Sequence, residues 1–114
     1  MTRLLPCLAL ALALAGVLPA QDAGKKLPLP GTSFEIEGRI AFLILPTSDQ
    51  RRTGPVAWVW YAPTLPNLPG REERWMFERW LARGIAIAGI DVGESYGSPS
   101  GRKLYNALHE TLVK

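Results

Sequence analysis

Val56-Ala57-Trp58-Val59-Trp60-Tyr61-Ala62 and Ile85-Ala86-Ile87-Ala88-Gly89-Ile90-Asp91-Val92 are two apolar runs separated by a proline-rich turn and an amphipathic stretch. Neither run alternates with polar residues, the pattern of strands covered on both faces, as parallel sheets demand. Pro63, Pro66 and Pro69 stop the first run, because proline lacks the N–H a strand ladder needs. Arg71 to Arg83 then reads as a helix. Trp75, Met76, Phe77, Trp80 and Leu81 make its apolar face, with Glu72 and Glu73 in the first turn and Arg79 and Arg83 in the last. Those charges complement the helix dipole, and Gly84 is a natural C-terminal stop. Ala86, Ala88 and Gly89 are small enough for helices to pack closely on the second strand. Strand, helix and strand in this order predict a right-handed parallel unit.

Working outward, Phe34-Glu35-Ile36-Glu37 alternates apolar and acidic residues, as a half-buried edge strand does. Gly38-Arg39 can supply a two-residue type II′ turn, and Ile40 to Leu45 follows as a more apolar strand. Pro46 to Gly54 is a loop by composition. Beyond Val92 comes a glycine loop, Gly93 to Gly101. Within it Ser98 and Pro99 form an N-cap and first-turn pair for a last helix with Leu104, Leu108 and Leu112 on one face. The whole reads β, β, β, α, β, α: an α/β sheet that opens on an antiparallel hairpin and is mostly parallel after it. No internal repeat is present.

The N-terminus is expected to be a processing signal. Arg3 precedes an apolar run, Leu4 to Leu18, of about 15 residues, the length of a secretory h-region and short of the roughly 18–20 that span a bilayer. Pro19-Ala20 offers a cleavage site, so residues 1–20 read as a signal peptide and the protein as secreted or periplasmic, with no stable membrane span after cleavage. Cys7, the one cysteine, lies inside that segment, near its start rather than after the apolar run, which argues against a lipoprotein signal. Disulfide and thiolate chemistry are therefore not expected. Residues 21–33 are polar and proline-rich, a linker by composition. The formal net charge of +3 is spread along the chain rather than gathered in the basic stripe that nucleic-acid binding requires. The residues show neither metal-ligand spacing nor a phosphate-binding glycine loop; no metal and no cofactor are expected.

Val56 to Leu65 and Gly84 to Pro99, in this order of elements, resemble the N-terminal portion of the α/β-hydrolase superfamily, in its secreted bacterial esterase, dienelactone-hydrolase and prolyl-oligopeptidase-like form. The resemblance covers about residues 34–113 and makes 34–114 the first part of an incomplete α/β-hydrolase-like sheet. It implies serine-dependent hydrolysis of a small-molecule ester or a peptide by the full-length form. In that family the loop after the third strand supplies one backbone N–H to the oxyanion hole, where a fixed amide stabilises the tetrahedral intermediate without reorganisation. Here that loop is Ala62-Pro63-Thr64-Leu65. Pro63 has no N–H, so Thr64 is the first candidate and Leu65 the second. The family's usual His-Gly signature is absent from it. Asp91, Gly93, Gly97 and Ser98 stand in roles comparable to the family's Asp-x-x-Gly-x-Gly-x-Ser stretch, and Glu94 and Tyr96 are pocket-lining candidates on the same analogy.

Gly93 to Gly97 also spells G-x-S-x-G, the pattern of a nucleophile elbow with Ser95 as the serine. An elbow starts its helix at the serine, which would put Pro99 and Gly101 inside the first two turns, at about 3 kcal/mol and roughly 1 kcal/mol. A helix that starts at Ser98-Pro99 avoids both. Family elbows also follow the fifth strand, whereas this loop follows the fourth. The structural-loop reading is therefore preferred; in the lesser one, Ser95 is the nucleophile and His109, the sole histidine, its partner. On the preferred reading the nucleophile, acid and catalytic histidine lie beyond residue 114, and the chain alone is an inactive fragment. The alternative is a small exported, non-catalytic binding or interaction domain. In the family's sheet the third strand lies between the fourth and the fifth, so Val56 to Ala62 is expected to expose an unpaired, aromatic-rich edge, open to aggregation or pairing.

Overall fold

The computed structural model describes residues 22–113; the apolar leader and Cys7 lie outside the described residues. Strand β1 (Thr32–Ile36) and strand β2 (Arg39–Ile44) form the expected antiparallel hairpin. Its turn is Glu37-Gly38 rather than Gly38-Arg39: φ is 49° at Glu37 and 78° at Gly38, and Ile36 pairs directly with Arg39. Positive φ at both central residues makes a type I′ turn, whose twist suits the flanking strands. Strands β3 (Trp58–Tyr61) and β4 (Ala86–Ile90) complete a four-stranded sheet in the order β1-β2-β4-β3.

The sheet is mixed. Only β3 and β4 are parallel; β4 joins the hairpin by running antiparallel to β2. The largely parallel sheet expected after the hairpin is thus confined to one strand pair, because the other neighbour of β4 is the hairpin's second strand. Every residue of β4 is buried. Gly89 is opposite Phe42 on one side and Tyr61 on the other. A Cβ there would collide with the Tyr61 carbonyl oxygen and come within 2.7 Å of Phe42 Cε1, so only glycine lets the three strands close at this point.

Helix α1 (Arg74–Ala82), preceded by a 3₁₀ turn at Arg71–Glu73, and helix α2 (Pro99–Leu112) cover opposite faces. Phe77 and Leu81, one helical turn apart, pack on Phe42, Ile44 and Ile87. Leu108, with Leu104, Tyr105 and Leu112 around it, packs on Ala41, Ala88 and Ile90. Successive residues of β2 and β4 therefore serve opposite cores, which is why neither strand shows polar alternation. Helix α1 begins at Arg74 rather than Arg71, with Glu72 and Glu73 in the 3₁₀ turn before it, whereas the stop of α1 and the start of α2 follow the sequence. Gly84, at φ 79°, closes α1 by donating to the Leu81 carbonyl, and Ser98 Oγ accepts from Gly101 N at 3.3 Å beside Pro99.

Two burial expectations are corrected. β3 is not covered on both faces, since Trp60 is 45% exposed; its outer edge is unpaired, as expected, with β4 its one partner in the sheet. The apolar face of α1 is narrower than expected: Trp75, Met76 and Trp80 are exposed. At 100° per residue the five apolar side chains span roughly 240° of the helix, and a helix on one sheet face buries a single stripe, here Phe77 and Leu81. Among the described residues, no helix is long and apolar enough to cross a membrane.

Gly89→Ala is expected to destabilise the fold by about 3 kcal/mol or more, because the new methyl meets backbone and a core ring, neither of which can move freely. Urea unfolding measures it; a loss below about 1 kcal/mol would contradict the β2–β4–β3 register.

Candidate functional site

Because β3 and β4 are parallel, the loops that follow them, residues 62–70 and 91–98, emerge at the same end of the sheet. Ligand sites of open α/β sheets collect at that carboxyl end. The two loops are joined there by Lys25. Its Nζ lies 3.0 Å from both oxygens of Asp91 and 3.0 Å from the Pro66 carbonyl. The Lys25 side chain is 4% exposed and that of Asp91 19%, so the ammonium spends its donors on these acceptors rather than on water. The Asp91 main chain is also engaged: its N–H donates to Ile40 O, and its carbonyl accepts from Arg39 Nη1 at 3.5 Å. Asp91, a pocket candidate from the sequence, is here the anchor of the loop it begins.

Lys25 belongs to the stretch that composition reads as a linker, and that stretch is itself tied down. Ser33 Oγ, on a residue only 1% exposed, accepts from the N–H groups of Ala23 and Lys25 and donates to Asp22 Oδ1 at 2.8 Å. Asp22 Oδ1 also accepts from Gly24 N at 2.9 Å. The Gly24 N–H, and after it the Ser33 hydroxyl, hold the Asp22 carboxyl below its ordinary value. Leu27 and Leu29 continue the segment onto the α1-side core.

The remaining candidates are spread over the two loops. Thr64 and Leu65 are exposed just past the buried Pro63. Among the described residues no acceptor meets the N–H of either. Gly93, Tyr96 and Gly97 take left-handed φ values of 69°, 51° and 72°. This projects the Tyr96 ring, 89% exposed, whose hydroxyl donates to Glu94 Oε2 at 2.6 Å. That bond to a carboxylate, with a smaller contribution from desolvation, raises the Tyr96 phenol above its usual value. Ser98 caps α2.

Ser95 and His109 do not meet. Ser95 packs on the first turn of α2, where a Cβ on Gly101 would lie 2.8 Å from its Oγ; its carbonyl accepts from Ser98 N. His109 is eight residues beyond Gly101, roughly 12 Å along the helix axis. It sits instead against Trp60, with ring centroids 6.4 Å apart and planes 7° from parallel. The residues the sequence did not single out are Trp60, Tyr105 and Arg102, which with Ala62 and Asn106 line an open concavity of about 430 Å³ beside the free edge of β3. Trp60 and Tyr105 meet edge to face at 5.4 Å, and burial raises the Tyr105 phenol. Among the described residues no group of His, Cys, Asp and Glu side chains could hold a metal ion.

Comparison of the chain with protein-family models, with curated proteins and with solved structures gives no match.

Lys25→Met strips Asp91 of its counter-charge and is expected to cost about 3 kcal/mol, at the low end for a buried pair because Asp91 keeps some water. Adding Asp91→Leu should recover part of that loss; strict additivity of the two changes in urea unfolding would mean the pair is not coupled. The Asp22 tie has a pH signature. Its folded carboxyl titrates below the unfolded one, so the tie stabilises fully above about pH 4 and fades as the pH falls through the lowered value. Amide exchange at residues 23–25 should accelerate on that acid limb and lose its dependence on Asp22 in Asp22→Asn; identical profiles for the two proteins would remove Asp22 from the account.

Proposed function

We propose that residues 34–113 are the opening part of the sheet of a secreted α/β-hydrolase whose full-length form cleaves an ester or peptide bond with a serine nucleophile. The observation that carries this reading is the strand order β1-β2-β4-β3, with β3 parallel to β4 and unpaired on its outer edge. A fifth strand beside β3 would place the third strand between the fourth and the fifth, the arrangement the resemblance implies. The loops after β3 and β4 then flank the site from one side. Thr64, or Leu65 next to it, offers a backbone N–H free to meet a developing oxyanion. The Asp91–Ser98 loop forms part of the pocket wall, held in place through Lys25. Export follows from the apolar run near the N-terminus.

On this reading the nucleophile is not Ser95. Its side chain is lodged against Gly101, and the sole histidine is engaged with Trp60 on another part of α2. A second reading, a non-catalytic exported binding domain, is favoured by the same observation together with the Lys25–Asp91 pair, since both make the polar residues of the loop structural.

Both readings predict that the purified protein neither turns over p-nitrophenyl acetate above a heat-treated control nor takes up a fluorophosphonate. Turnover or labelling that Ser95→Ala abolishes would overturn both and establish a short hydrolase built on Ser95.

A further inference from the structure

The outward face of α1 carries Trp75, Met76, Arg79, Trp80 and Arg83 around one shallow concavity of about 300 Å³. With Phe77 and Leu81 turned to the core, the helical repeat places Trp75, Arg79, Arg83 and Met76 on the far side and Trp80 on its flank. Trp75 is 69% exposed, Met76 40% and Trp80 36%. The Arg79 guanidinium stands over the Trp75 ring at 5.2 Å. At the end of the helix Arg52 Nε donates to the Arg83 carbonyl at 2.9 Å, adding a third guanidinium there. Of the nearby acids, Glu78 pairs with Arg74 at 3.4 Å and Glu73 accepts from Gly70 N. The exposed Glu72 stands in the turn before the helix and the exposed Asp49 in the loop that carries Arg52, and none belongs to the five.

We propose that this face docks on an anionic lipid surface, with Trp75, Met76 and Trp80 entering the headgroup layer and Arg79, Arg83 and Arg52 meeting lipid phosphates. Exposed tryptophans beside an excess of arginines match what membrane interfaces select. Arg79, Arg83 and Arg52 give the face a local excess of positive charge that suits lipid phosphates. A second copy, whose antiparallel two-fold contact would bring Glu72 and Glu73 of one helix toward Arg79 and Arg83 of the other, is the competing occupant that the test separates. α1 lies on the sheet face opposite α2, away from the loops at the carboxyl end.

The test is quenching of tryptophan emission in the full chain by vesicles of phosphatidylglycerol with brominated acyl chains, beside vesicles of brominated phosphatidylcholine. The apolar run Leu4 to Leu18 can reach either bilayer, so two readouts isolate α1: dependence on headgroup charge, and the share of quenching lost in Trp75→Phe, a change at an exposed ring. Trp75→Phe should remove the largest single share of the quenching and Trp60→Phe little. Arg79→Gln and Arg83→Gln should each weaken binding to the anionic vesicles about fivefold, as should raised salt. Equal quenching by the two lipids, or quenching left undiminished by Trp75→Phe, overturns the proposal. So does a blue shift of Trp75 that grows with protein concentration without lipid, which would give the face to a second copy.

Discussion

β4 is hydrogen-bonded along both edges and covered on both faces, and the neighbouring elements are arranged around that double burial. A strand in that position can carry no polar side chain and little bulk, and Ala86-Ile87-Ala88-Gly89-Ile90 meets both conditions. Ile87 fills the α1 side, Ala88 and Ile90 fill the α2 side, and Gly89 leaves room for Phe42 and the Tyr61 backbone to approach from either flank. The aromatic contacts of Tyr61 with Phe42 and Phe77 then join β3, β2 and α1 through one ring. Burial of that ring, more than the nearby charge of Glu73, raises its phenol above the usual value.

At the carboxyl end of the sheet, order comes from electrostatics rather than packing. Lys25 gathers three acceptors from two loops, and Ser33 fastens the chain leading to it. A buried ion pair of this kind is not a large net source of stability, because desolvation offsets most of its attraction. Its effect is positional: the loop after β3 and the loop after β4 cannot separate without uncovering a charge. Among the described residues, no acceptor meets the Thr64 and Leu65 amides at this end, and the Trp60–Tyr105 concavity next to Ala62 stays open.

Element order was legible because it rests on local signals. Periodicity, the prolines after Ala62, Gly84 at the end of α1 and the Ser98-Pro99 start of α2 each act within a few residues. What the sequence did not reveal depends on distant partners. Whether Trp60 is covered depends on what pairs with β3, and the exposure of Trp75 and Trp80 depends on how much of α1 the sheet can cover. The bond from Lys25 to Asp91 spans 66 positions, and a lysine amid prolines gives no local sign of it. The hairpin turn was misplaced by one residue because Gly38 suits either turn type, and the Ile36–Arg39 pairing decides between them. For the candidate site, the two loops could be read from the sequence, whereas the engagement of Asp91, the lodging of Ser95 on Gly101 and the stacking of His109 on Trp60 could not.

The central proposal is that the free edge of β3 pairs with a further strand of a hydrolase-like sheet. The measurement that tests it most directly is the nucleotide sequence of the transcript around and past the Lys114 codon. The account predicts coding sequence, in frame or displaced by a frameshift, for an apolar strand followed by a G-x-S-x-G turn and a helix free of early proline and glycine. A stop codon followed by no such coding sequence in any frame would contradict it and leave an exported binding domain as the better description.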